Sequence, residues 1–102
     1  MKRMHLLAAS LTLAAATLGM TTAVQAQVSR GALMATTCFA CHGTDGQSPG
    51  AMPSISGYPP DTMIRQLKAF QDGSRQATVM DRHATGYTDE EIRLMAEYLS
   101  TL

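Results

Sequence analysis

The sequence predicts a small all-α domain, and three observations carry that expectation. Met63, Ile64, Leu67 and Phe70 recur at three- and four-residue spacing, the mark of a helix with one apolar face. Thr88-Asp89-Glu90-Glu91, followed by Ile92, Met95, Ala96 and Leu99, reads as a capping box that opens a second such helix. No segment alternates polar and apolar residues as a half-buried strand does.

The chain has 102 residues, with eight Lys+Arg, eight Asp+Glu, two Cys and no Trp, which allows one small domain. A formal net charge of zero provides no basic footprint for nucleic acid. Two cysteines exclude a disulfide-dense scaffold. Residues 1–26 read as a signal peptide: Lys2 and Arg3 precede a largely apolar run from Leu6 to Met20, and Val24-Gln25-Ala26 offers small residues for cleavage. That run falls short of the ~20 residues of a membrane-spanning helix. The expected mature domain is therefore residues 27–102, exported to the periplasm without a membrane span. Its six basic and eight acidic residues leave a net charge of −2. A core of this size supplies only ~3–5 kcal/mol, so a cofactor or metal is expected to help.

From the start of that domain, Val28 to Thr37 reads as a short helix leading straight into Cys38. Residues 43–60 hold four Gly and four Pro and read as a long loop, of a length that is uncommon unless it has a task such as wrapping a cofactor. Pro60 suits a first helical turn and Gly73 a C-cap, so a helix is expected over about 60–72. Residues 73–86 carry no helical periodicity and read as irregular, and the last helix is expected from about Asp89 to the C-terminus.

Cys38-Phe39-Ala40-Cys41-His42 carries the chemistry. On a helix, positions i, i+3 and i+4 project from one side, so two sulfurs and an imidazole can face one flat object. A thioredoxin-type thiol pair is expected in a βαβ context, which this sequence lacks. A zinc site needs four ligands, and the remaining chain after the leader offers only His83, at no finger-like spacing. The pattern therefore points to covalent haem, with Cys38 and Cys41 as thioethers and His42 on the iron. Leu33, Ile55, Ile64, Leu67 and Leu94 are expected to pack against the porphyrin. For the second axial ligand, Met80 lies far enough along the chain to reach the other face, and His83 is its main competitor. Met34, Met63 and Met95 sit at core spacing, and Met52 follows His42 too soon.

Together, Cys38-x-x-Cys41-His42-Gly43, Pro53-Ser54-Ile55-Ser56-Gly57 and Met80 resemble small class I cytochromes c, over essentially all of residues 27–102. The resemblance implies a class I cytochrome c fold, three to four helices around one haem c. It also implies that Pro53 offers its carbonyl to the far nitrogen of His42, that Ile55 packs on the ring, and that Gly31 meets Tyr98 where first and last helices cross. The stretches Cys38 to Gly46, Arg75 to Arg82 and Gly86 to Ile92 are similar to cytochrome c4-like domains. They look most like the haem subunit of flavocytochrome c sulfide dehydrogenases. His83-Ala84-Thr85 departs from that subunit, which more often has an apolar residue and a Lys there.

The expected function is single-electron transfer in the periplasm, with no catalytic residues in the chain itself. The expected partner is a redox protein, a flavoprotein sulfide dehydrogenase subunit that donates electrons to the haem. The alternative is a free shuttle between a reductase and a terminal oxidase. Four bases between Arg65 and Arg82 face four acids from Asp89 to Glu97, an asymmetry able to steer a partner.

Overall fold

The computed structural model describes residues 30–102, so the leader expected over 1–26 and the domain start at 27 lie outside the described residues. Helix α1 covers residues 30–35. It tightens into a 3₁₀ turn over Thr36–Cys38 and resumes as α2, Phe39–His42. A further 3₁₀ turn, Thr44–Gly46, opens the long loop that ends at α3, Pro60–Gln71. Helices α4, Met80–Ala84, and α5, Asp89–Leu99, complete the order. No strand occurs among the described residues, and no helix among them is long and apolar enough to cross a membrane.

Both long helices follow from the sequence. Pro60 stands in the first turn of α3, and the chain leaves that helix through Gly73 at φ 78°, where a side chain would be strained. The capping box of α5 is complete: Thr88 Oγ1 accepts from the Glu91 amide at 3.3 Å, and the Glu91 carboxylate accepts from the Thr88 amide at 3.0 Å. Two expectations fail locally. Residues 73–86 are not wholly irregular, because Met80–Ala84 is helical; five residues are too few to display a period. The helix leading to Cys38 is not continuous either. Thr36 and Thr37 donate their hydroxyls to the Leu33 and Met34 carbonyls at 2.6 and 2.8 Å, side-chain bonds that compete with the regular ladder.

Ala35, Met63, Ile92, Met95, Ala96 and Leu99 form the buried core where α1, α3 and α5 meet. Gly31 and Ala35, one turn apart, are both buried. Leu33 lies about 200° around the helix from Gly31 and is 73% exposed, so it does not reach the cofactor side as expected. Leu94 is buried against α1, where a Cβ on Gly31 would stand 2.4 Å from its carbonyl oxygen. The contact expected between Gly31 and Tyr98 is thus made closest with Leu94, one turn earlier. Ile64 packs on the edge of the core. The long loop is tied at both ends: Gly46 O accepts from the Ile55 and Ser56 amides at 2.8 and 3.2 Å, and the Gly57 amide donates to Leu99 O at 2.9 Å.

Arg93 pairs with Glu90 and Glu97, Lys68 with Asp89, and Arg30 with Glu91. Three cations thus pair with the four acids of α5, which leaves that surface less acidic than the run of acids suggests. These pairs are mostly exposed and contribute little to stability individually.

Gly31→Ala is expected to destabilise the protein by about 1–3 kcal/mol in urea unfolding, since the clash with rigid backbone outweighs the gain in helix propensity. Hydrogen bonds hold the Glu91 carboxyl below its ordinary value of 4.5, chiefly the one from the Thr88 amide, while Arg30 adds attraction. A carboxylate depressed on folding stabilises above the unfolded pKa, and that contribution disappears as pH falls through the folded one. Thermal stability should thus hold down to about pH 4.5 and drop below it; Thr88→Ala, costing ~1 kcal/mol at pH 7, keeps the amide that binds Glu91 and should retain most of the drop, whereas Glu91→Gln, which cannot titrate, should make it shallower.

Candidate functional site

Beside the core, the described residues line an apolar cleft of about 260 Å³ that is open to solvent on one side, room that a close-packed interior would not leave unfilled. Cys38, Cys41, His42, Pro53, Ile55 and Met80 all line it. They come from four different elements: the 3₁₀ turn supplies Cys38, α2 supplies Cys41 and His42, the long loop Pro53 and Ile55, and α4 Met80. Leu67, Met63 and Met95 contribute to the wall as well, as does His83, which is exposed. Leu33, Ile64 and Leu94 take no part in it.

His42 is 7% exposed, a buried polar residue, and its ring is oriented by one strong bond. Nδ1 lies 2.6 Å from the Pro53 carbonyl oxygen. A carbonyl only accepts, so Nδ1 carries the proton and Nε2 keeps a free lone pair. Position and tautomer are both those of an imidazole prepared to bind a metal. Gly43 makes the geometry possible directly after the helix. At φ 87° it reverses the chain so tightly that a Cβ would fall 2.0 Å from Gln47 O.

Cys38 and Cys41 are not joined to each other. Burial pushes the Cys38 thiol above its ordinary pKa, with the Thr37 hydrogen bond opposing only in part. Redox-active thiols show the reverse, a depressed pKa in an electropositive setting. No cluster of three or more His, Cys, Asp and Glu able to hold a metal ion occurs among the described residues, which disfavours zinc. Two free thiols, an imidazole with one nitrogen held, a thioether and apolar walls fit a covalently attached haem instead.

The sequence model of the cytochrome c family matches residues 28–102. The chain belongs to the cytochrome c family. Members of this family transfer electrons, and a single C-x-x-C-H stretch in this cytochrome corresponds to one haem c. It is 51% identical over 74 residues to the cytochrome subunit of sulfide dehydrogenase of Chlorobaculum tepidum, a match that covers 72% of this chain and 67% of that one. It is 35% identical to cytochrome c-553 of Nitratidesulfovibrio vulgaris, across 76% of this chain and 80% of the relative. Among solved structures, cytochrome c4 of Acidithiobacillus ferrooxidans superposes with a TM-score of 0.61 at 38% identity. That match covers 64% of this chain and 38% of the other.

Several wall residues are not visible to sequence reasoning. Thr37 Oγ1 and Tyr87 OH lie 2.9 Å apart at the cavity's edge and join the turn that holds Cys38 to the segment after α4. Arg75 holds its guanidinium 4.7 Å from the centre of the Phe70 ring, within cation–π range. Both line the cavity, and no carboxylate side chain does. The signal available was the turn chemistry of Asp72-Gly73-Ser74, where the Ser74 amide donates to Asp72 Oδ1 at 2.8 Å and the Arg75 amide reaches back to Ala69 O at 3.0 Å.

Haem iron carries one more positive charge when oxidised, so a cation in the wall favours the reduced form. Arg75→Gln should accordingly lower the midpoint potential measured by redox titration, by an amount on the order of tens of millivolts.

Proposed function

We propose that this cytochrome is the periplasmic haem subunit of a flavin-dependent sulfide dehydrogenase, exported by a cleaved leader at residues 1–26. Cys38 and Cys41 would hold the porphyrin as thioethers, and His42 Nε2 and the Met80 sulfur would ligate its iron. Ile55 would pack on the ring. When bound, haem supplies a one-electron iron couple.

The chain's own residues set the conditions for that couple. Pro53 fixes the His42 tautomer, so the imidazole presents the same nitrogen in both oxidation states without rearrangement. Met63, Leu67, Met95 and Leu99 keep water from that side of the cavity, and a low dielectric raises the cost of the oxidised charge. With His42 and Met80 both on the iron, no position would remain open for substrate, which suits a carrier rather than a catalyst. The bond between His42 and Pro53 is the observation that carries the site assignment. Support for the partner comes from the 51% identity with a sulfide dehydrogenase cytochrome subunit over nearly the whole described domain.

The test is an absorption spectrum, oxidised and dithionite-reduced, of the cytochrome purified gently from its native periplasm together with its companions. Haem and flavin absorbance in a constant ratio through gel filtration is the expected result. Haem alone would identify a free shuttle between a reductase and a terminal oxidase. Haem that leaves the polypeptide on denaturation would overturn the thioether assignment.

A further inference from the structure

Helix α4 does not stand on its own. It has five residues, whereas isolated helices below ~12–15 residues are marginal in water. Its N-cap, Val79, has no side-chain acceptor, and Ala84 is its single buried residue. The bonds at its ends are long: His83 to Val79 O at 3.3 Å, Thr85 to Asp81 O at 3.3 Å and Gly86 to His83 O at 3.2 Å, against a usual 2.9–3.0 Å. Residues 76–79, which lead into it, donate no backbone hydrogen bond among the described residues.

The strongest polar attachment of this segment comes from outside it. Gln71, the last residue of α3, donates from Nε2 to the Ala84 carbonyl at 2.8 Å and to the Tyr87 carbonyl at 2.9 Å. Both acceptors are carbonyls, so the amino end of the side chain must face them. One amide nitrogen thus secures both sides of the turn that closes α4. Met80 lies on that helix and in the cavity wall, while Gln71 does not line the cavity.

We propose that Gln71 is a positioning residue for Met80, pinning the C-terminal end of α4 to α3 through the Ala84 and Tyr87 carbonyls and so keeping the Met80 thioether on the iron. This inference rests on the reading of Met80 as axial ligand. Gln71 touches neither haem nor iron, and its effect lies in how rarely the sixth position opens.

Imidazole titrated into the oxidised, haem-loaded full chain reads that opening directly. Gln71→Leu, which keeps the bulk and removes both donors, is expected to raise the imidazole association constant about tenfold. Gln71→Glu is the second variant; its carboxylate can only accept, and it should open the site to a similar degree. Gly31→Ala destabilises the fold where α1 crosses α5 without touching α4 or the carbonyls that Gln71 holds, and there the constant should stay within about twofold of the parent. An unchanged constant in both Gln71 variants, or an equal rise in Gly31→Ala, would overturn the positioning role. Met80→Ala separates the two readings: it should bind imidazole more tightly than any other variant, and if it binds no better than the parent, the ligand assignment fails rather than the clamp alone.

Discussion

An imidazole offers a metal one defined nitrogen only when its other nitrogen is held, and in this chain the Pro53 carbonyl holds it at 2.6 Å. The bond joins the end of a four-residue helix to a point eleven residues further on, inside a loop with little regular structure. Much of the local architecture serves that closure. Gly43 turns the chain where no other residue fits, Gly46 O accepts two amides as the loop returns, and Gly57 fastens its end to α5. The loop spends its backbone polar groups on defining a site, which is why it can be long and still ordered.

The core and the cavity share residues rather than occupying separate regions. Met63, Met95 and Leu99 are buried in the core where α3 and α5 meet and also line the cavity. A porphyrin seated there would extend the apolar interior of a domain too small to build a large core by itself. Binding and folding are coupled in such an arrangement, because ligand affinity for the native state adds to its stability. Surface charge is secondary. Its ion pairs are exposed, and their contribution is reduced by screening and side-chain entropy.

The two candidate ligands are held in different ways. His42 is buried and fixed by a short bond from its own ring. Met80 belongs to a short helix whose support comes from a neighbouring side chain. An unequal pair of this kind leaves the imidazole side rigid and concentrates any mobility on the thioether side. Local segments with few buried contacts are where native proteins open first.

By itself the sequence determined the helical class, the two amphipathic helices with their cap and stop signals, and the Cys38, Cys41, His42 triplet. Each of these depends on residues near one another along the chain, through period, capping chemistry or motif spacing. Pro53 and Ile55 were legible by resemblance, on the strength of a short stretch that would be weak alone. Tertiary structure decided the rest. Leu33 and Leu94 are as apolar as Leu67, yet only Leu67 reaches the cavity, because the angle of each helix about its own axis is set by what it packs against. Gly31 became the crossing point of α1 with Leu94 for the same reason. Helix α4, the Arg75 cation on Phe70 and the Gln71 clamp all arise from segments brought together in space. No local rule encodes such contacts, since their energy exists only once the partners have met.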